Sequence, residues 1–284
     1  MDREELLAKI TTFPLLARGL AEDLLSGDYR AVFRGQGMEF DEVRRYERGD
    51  DVRSIDWNVS ARFGTPYVKM YREEREMTVC IIMDNSSSMH TSNRFTQAVL
   101  TAALIAFSAE HAGQRLSMIF FDREISKIIP PGKGRSHTMT VISSAIEAAP
   151  LEKGSGLGKA IIGAGRLLKR RSLVIIVSDF LCINWEQEIG DLSRRHDVIC
   201  IRISCSLDSE MPEGGLLSLL DPETGHKQNI PVSFPSFKKA WASWHNERKQ
   251  LWEAICRRQG AAFLEISSAD DAPSVLKHFF KGRQ

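Results

Sequence analysis

From Thr78 onward, short unbroken apolar runs take turns with longer runs that repeat at helical spacing. Thr78 to Met83 (TVCIIM), Leu116 to Phe121 (LSMIFF), Leu173 to Val177 (LVIIV), Val198 to Ile203 and Ala262 to Ile266 are short and rich in strand-forming residues. They predict strands covered on both faces. Ile125 to Ile129 predicts another strand, which Pro130, Pro131 and Gly132 are expected to break. Phe95 to His111 is apolar nearly all round, the pattern of a buried helix, and Gly113 is placed to end it. Thr138 to Ala149, Leu157 to Leu168 and Ala272 to Phe280 predict further helices. A long helix is expected from about 235 to 258, with Phe237, Trp241, Trp244, Leu251, Trp252 and Ile255 facing the core. This alternation predicts an α/β domain with a mostly parallel sheet flanked by helices.

Two stretches depart from that rhythm. Residues 1–30 place leucines at spacings that predict one or two amphipathic helices, broken near Pro14. Residues 31–76 are dense in charge and glycine with little periodicity, and Tyr67 to Tyr71 (YVKMY) is expected to add an edge strand to the sheet. Further on, Leu216 to Leu220 and Gln228 to Val232 flank Asp221-Pro222-Glu223-Thr224-Gly225, a hairpin signal built on Pro and Gly. The expected division is therefore 1–75, a helical segment with a charged module, and 76–284, the α/β domain with a β-hairpin insertion.

Composition narrows the function. Of 284 residues, 43% are apolar and 26% charged, an ordinary globular balance. Lys plus Arg number 38 against 37 Asp plus Glu, which argues against a protein whose main work is gripping nucleic acid. Lys169-Arg170-Arg171 reads as a solvated helix end. The cysteines, Cys80, Cys182, Cys200, Cys205 and Cys256, show no CxxC spacing and favour a reducing compartment. The charged start and the lack of an apolar stretch of membrane-spanning length lead us to expect a soluble, cytoplasmic chain without an integral membrane segment.

The chemistry gathers at predicted strand ends. Asp84, Ser86 and Ser88 form D-x-S-x-S where the first buried strand stops, the edge at which open α/β sheets bind ligands. Alternate residues in an extended turn can aim one carboxylate and two hydroxyls at a single point, a donor set suited to a hard cation. Equally, Ser, Asp and Asn cap helices. Ser178-Asp179 brings a second carboxylate to the same edge, and Ser155, between Gly154 and Gly156, offers another hydroxyl. The set Asp84, Ser86, Ser88, Ser155 and Asp179 resembles the metal-ion-dependent adhesion site of von Willebrand factor A domains, with Ser155 where that family usually has Thr. The resemblance implies Mg²⁺ (or Mn²⁺) held by these residues, an acidic partner residue completing the shell, and a von Willebrand factor A-like, Rossmann-like fold.

The stretch before this domain is more specific. Gly35-Gln36-Gly37-Met38-Glu39-Phe40, then Arg44, Tyr46, Gly49-Asp50-Asp51, Arg53, Ile55-Asp56-Trp57 and Ala61-Arg62, resemble the signature of the DUF58 family, as does the Asp221–Gly225 hairpin. Many of that family add N-terminal membrane spans; this chain is expected to be of the short soluble kind. This set, with Tyr46, is open to two readings: a structural network, in which Arg44, Arg53 and Arg62 pair with Asp50, Asp51 and Asp56 around Trp57 as an apolar anchor, or a partner-binding surface.

The resemblance implies a non-enzymatic protein-interaction module working with a MoxR-type AAA+ ATPase in assembly or maturation of other proteins. The alternative is a Mg-dependent hydrolase or phosphatase using the same site, for which His90 is the nearest candidate base. Gly154 to Lys159 fails both phosphate-loop patterns, since Ala160 follows the lysine and Lys159 takes the place of a final glycine.

Overall fold

The structure is a computed structural model that describes residues 3–26, 38–73, 77–150, 154–209, 217–220, 227–230 and 234–282. It divides into two units, residues 1–28 with 77–284, and residues 29–76. In chain order the elements are α1 (Arg3–Thr11), α2 (Phe13–Ser26), β1 (Met38–Arg45), α3 (Trp57–Phe63), β2 (Tyr67–Glu73), β3 (Thr78–Asp84), α4 (Arg94–His111), β4 (Arg115–Phe121) and β5 (Ile125–Gly132). They continue with α5 (Arg135–Glu147), α6 (Leu157–Leu167), β6 (Leu173–Ser178), α7 (Glu186–Ser193), β7 (Asp197–Ser204), a single turn at Ser206–Ser209, β8 (Leu217–Leu220), β9 (Lys227–Ile230), α8 (Pro235–Arg258), β10 (Ala262–Ser267) and α9 (Ala272–Lys281).

The larger unit is built on a six-stranded sheet in the order β10-β7-β6-β3-β4-β5. Every neighbouring pair is parallel except β4 and β5. Side chains alternate across a strand. Cys80, Ile82, Ile119, Val174, Ile176 and Cys200 therefore share one core with α6, α7 and the C-terminal half of α8. Val79, Ile81, Met83, Ile175, Val177 and Ile201 are equally buried and alternate with them, and α4 packs against β3, β4, β6 and β7. Burying each of the large side chains contributes roughly 1.5–3 kcal/mol.

Helix α4 is apolar all round because it is covered all round. It is buried without a break from Gln97 to Ala109, and α2, α5 and α9 pack against it. Leu6, Ile10, Phe13, Ala17 and Leu20 form the buried stripe of the first two helices, while Leu15 and Leu16 stay exposed. The helical segment breaks at Thr12, two residues before Pro14, as expected. Pro14 lies in the first turn of α2, where its missing N–H costs no hydrogen bond.

Four expectations need correction. The first two helices belong with the sheet rather than with the charged module, so the expected division into 1–75 and 76–284 is redrawn. Pro130 and Pro131 do not end β5. It runs through them to Gly132 because it is an edge strand whose register shifts there: Ile129 pairs with Met118 and Gly132 with Leu116, so the two prolines fall in the irregularity between them. Tyr67–Tyr71 does not join the main sheet: β2 pairs antiparallel with β1, in a separate two-stranded sheet of the smaller unit. The aromatic stripe of α8 faces the core only at its C-terminal end, where Trp252 and Ile255 are buried; Trp244 and Leu251 are exposed.

Helix α7 was not anticipated, its eight residues being too short to show a period. Strands β8 and β9 pair antiparallel, Leu217 opposite Ile230, as the hairpin signal predicts. Its turn, Asp221–Gly225, and the Gly35–Gly37 string lie outside the described residues.

Candidate cation site and candidate interface

The order of the sheet fixes where a site can form. From β3 the chain moves to β4 on one side, and β6 later returns on the other. The carboxyl ends of β3 and β6 therefore flank the switch point, where loops diverge and leave a crevice. Met83 lies beside Val177, so Asp84 and Ser178 come next on adjacent strands.

Asp84 is fully buried there. Its Oδ2 accepts the Ser178 hydroxyl at 2.5 Å and its Oδ1 accepts the Ser86 N–H at 2.9 Å. The Ser86 and Ser88 hydroxyls are 3.1 Å apart. None of the three residues caps α4: Asn93 occupies that place, without a side-chain bond. Helix capping therefore does not account for the D-x-S-x-S string.

Asp179 is buried as well; its Oδ1 accepts the Leu181 N–H at 3.0 Å, while its Oδ2 is buried with no partner among the described residues. Ser155 Oγ is likewise buried without a hydrogen bond of normal geometry. It is held at the mouth of α6 by a close approach: the Gly156 N–H donates to the Asp122 carbonyl, and a Cβ on Gly156 would run into the Arg123 carbonyl.

The electrostatics carry the same message. Burial, and after it the charge of Asp179, push the Asp84 carboxyl up to about 7, against the pull of the Ser178 and Ser86 hydrogen bonds. Cys182 shares this environment. Burial, then the Asp84 charge, push its thiol up to about 12, with Ser155 beside it acting in the opposite sense. The charge of Asp179 thus disfavours that of Asp84, while Asp179 Oδ2 stays without a hydrogen-bond partner among the described residues and the Ser155 hydroxyl lies buried beside the Cys182 thiol. An oxygen-only donor set of this kind fits a hard divalent cation. No group of three or more His, Cys, Asp or Glu residues is placed to hold a metal among the described residues, so a cation here would depend on the serine hydroxyls.

His90 is exposed; its Nε2 lies 2.9 Å from Asn85 Oδ1 and its ring stacks on Phe95 at 3.9 Å. Lys159 of the glycine-rich string pairs with Glu124. Four residues that sequence reasoning passed over meet the loops of this site: Ser178, Cys182, Arg94 and Arg248. Only Ser178 carried a legible signal, as neighbour of Asp179 at a strand end.

In the smaller unit the charged residues follow the structural reading only in part. Arg44 does pair with Asp50, through bonds of 2.8 and 2.6 Å, and this holds the Asp50 carboxyl below its usual range. Asp51 instead caps a single turn at Val52–Ser54 by accepting the Arg53 N–H at 2.9 Å. Asp56 caps α3 through the Asn58 and Val59 N–H groups, with Lys69 rather than an arginine 3.7 Å away. Gly64, at φ +67°, ends that helix. Arg53 and Arg62 are exposed, and Tyr46 is half-buried. Trp57 anchors nothing in this set: it is 68% exposed.

The fold is that of a von Willebrand factor A-like α/β protein, a mostly parallel sheet flanked by helices. The chain belongs to the family described as "Protein of unknown function DUF58", whose profile matches residues 42–250. It is 32% identical to an uncharacterized protein of Mycobacterium tuberculosis, over 100% of this chain and 92% of that one. Among solved structures, it resembles an aerotolerance-related membrane protein from Bacteroides fragilis carrying multiple mutations to serines. That likeness has a TM-score of 0.51 and 15% identity, over 73% of this chain and 98% of that one. A conserved hypothetical protein, BatB from Bacteroides thetaiotaomicron, matches with a TM-score of 0.50 and 13% identity, over the same shares of 73% and 98%. At these identities the two structures speak for the fold alone. No helix among the described residues is long and apolar enough to cross a membrane.

Proposed function

We propose that this chain is a non-enzymatic protein-interaction module that takes up Mg²⁺ or Mn²⁺ at Asp84, Ser86, Ser88, Ser155 and Asp179 and engages an acidic side chain of a protein partner. One observation carries the reading. Asp179 Oδ2 is buried with no hydrogen-bond partner among the described residues, beside a second buried carboxylate at the switch point of the sheet, and the Ser155 hydroxyl is buried with only the Cys182 thiol noted beside it. Leaving a buried polar group without a partner costs about 1–3 kcal/mol, more for a charged one, and a cation would offset that cost. When bound, it supplies a positive charge that a partner's carboxylate can meet. The protein's own part is to fix the oxygens: Ser178 and the Ser86 N–H orient Asp84, and the Leu181 N–H orients Asp179.

The partner we assign is a MoxR-type AAA+ ATPase, in assembly or maturation of other proteins. That assignment rests on the resemblance of the 35–62 signature. The hydrolase alternative lacks a specific observation in its favour, since His90 turns its Nε2 toward Asn85.

The test is thermal unfolding in EDTA and in about 1 mM Mg²⁺ or Mn²⁺, on wild type and Asp84→Ala. A cation at about ten times its Kd stabilises the folded state by about 1.4 kcal/mol. The expected result is a raised midpoint in wild type alone, together with capture of the ATPase that EDTA abolishes. Capture indifferent to both EDTA and Asp84→Ala would refute the reading.

A further inference from the structure

We propose that Arg94 and Arg248 are positioning residues for the cation site, each gripping a backbone carbonyl of a loop that carries candidate ligands. The inference rests on the cation reading above and concerns what holds the two loops in place.

Arg94 opens α4 and its side chain is only 8% exposed. One guanidinium nitrogen donates to the Ser88 carbonyl at 3.3 Å and to the Thr91 hydroxyl at 3.0 Å. The other pairs with Asp208, in the turn that follows β7. Asp208 is itself held, its second oxygen accepting the Cys205 N–H at 3.0 Å. The chain thus runs from the first loop, through a buried ion pair, to a segment more than a hundred residues later. Burying such a pair brings little net stability. A charge-assisted bond to a loop carbonyl, however, constrains that loop more firmly than a neutral one.

Arg248, on α8, acts on the third loop in the same manner. It donates to the Leu181 carbonyl at 3.0 Å, and its guanidinium lies 5.1 Å from the centre of the Trp244 ring. Leu181 is the residue whose N–H binds Asp179 Oδ1 at 3.0 Å. Gripping its carbonyl therefore holds in place the residue that anchors the Asp179 carboxylate. Helix α8 meets the other strut as well. His245, one turn before Arg248, lies 3.9 Å from Asp208, and Trp241 donates to the Leu207 carbonyl at 2.8 Å. One helix thus stands behind both loops.

The test uses the full chain as Arg248→Met, Arg94→Lys and the double variant Arg94→Met with Asp208→Asn, which removes both buried charges. Amide exchange is read in EDTA, and Mn²⁺ binding by calorimetric titration. We expect exchange to quicken about tenfold at Met89 and Thr91 in the Arg94 variants and at Leu181 in Arg248→Met, while the amides of β3 and β6 hold. We expect Mn²⁺ affinity to fall about tenfold in each, the usual cost of losing a group that orients a ligand. Folded variants whose loop exchange and Mn²⁺ affinity match wild type would overturn the proposal. Should the double variant fail to fold, Arg248→Met, at a half-buried position, decides. A wild type that takes up no Mn²⁺ overturns the cation reading itself, and the exchange data tell that failure apart from a failure of the struts.

Discussion

Asp84 joins stability to cation binding through its proton. Its carboxyl is raised to about 7 by burial and by Asp179, whereas an unfolded aspartate titrates near about 3.9. Between those values the folded chain holds a proton that the unfolded chain has given up. Stability must therefore fall as pH rises through that window and level off above it. In EDTA we expect the urea midpoint of wild type to drop between about pH 5 and pH 8 more than that of Asp84→Asn. A wild type that follows the variant would show that Asp84 is not raised. A cation competes with the same proton, so its affinity should strengthen across the same window. Asp84, Ser86 and Ser88 were legible in the sequence because they sit together at a strand end. Asp179 and Ser155 were legible because strand ends and glycine-flanked helix starts leave a local mark. Arg94 and Arg248 were not, since each meets its loop through a bond that local patterning does not encode.

At the level of elements, the start of α6 is set by a contact rather than by a cap. Gly156 carries no capping side chain and fits only because it lacks a Cβ, its backbone lying against the Arg123 carbonyl. Gly156→Ala should therefore push α6 away from the turn between β4 and β5 and carry Ser155 with it. We expect a loss of about 1–3 kcal/mol, the usual cost of overpacking, and a smaller Mn²⁺-induced rise in unfolding midpoint. A variant with wild-type stability and response would show that the contact is slack. By contrast Ile176→Ala, deep in the sheet, should cost about 2–5 kcal/mol and leave the response to Mn²⁺ in the folded protein unchanged. Buried strands and the all-round apolar α4 were readable because period and composition agree there. The aromatic stripe of α8 misled because half a helix can be amphipathic without being covered. The edge placement of β5 decided the fate of Pro130 and Pro131, and no local signal announces an edge.

At the scale of the molecule, the sheet accounts for the larger unit, and α1 and α2 belong to it because α4 offers them an apolar surface to cover. Residues 29–76 form their own unit, and its logic differs. Its short turns are closed by Asp51, Asp56 and Gly64 acting on backbone groups, and its ion pair Arg44–Asp50 is solvent-facing. Exposed pairs of that kind hold a fold weakly. Trp57 sits among them 68% exposed, with Phe63 and Val52 also exposed. A structural network anchored on the tryptophan would have buried it. Its exposure favours the other reading, in which Arg53, Trp57 and Arg62 present a surface to the partner, tryptophan and arginine being the side chains that most often dominate protein interfaces. Trp57→Ala should then leave the unfolding free energy within about 0.5 kcal/mol of wild type, as for other surface substitutions. It should also weaken capture of the ATPase about tenfold or more, with the Mn²⁺ response of the larger unit intact. Stability lost with capture retained would return Trp57 to a structural role. Capture lost only in Asp84→Ala and retained in Trp57→Ala would confine the interface to the switch-point edge of the sheet.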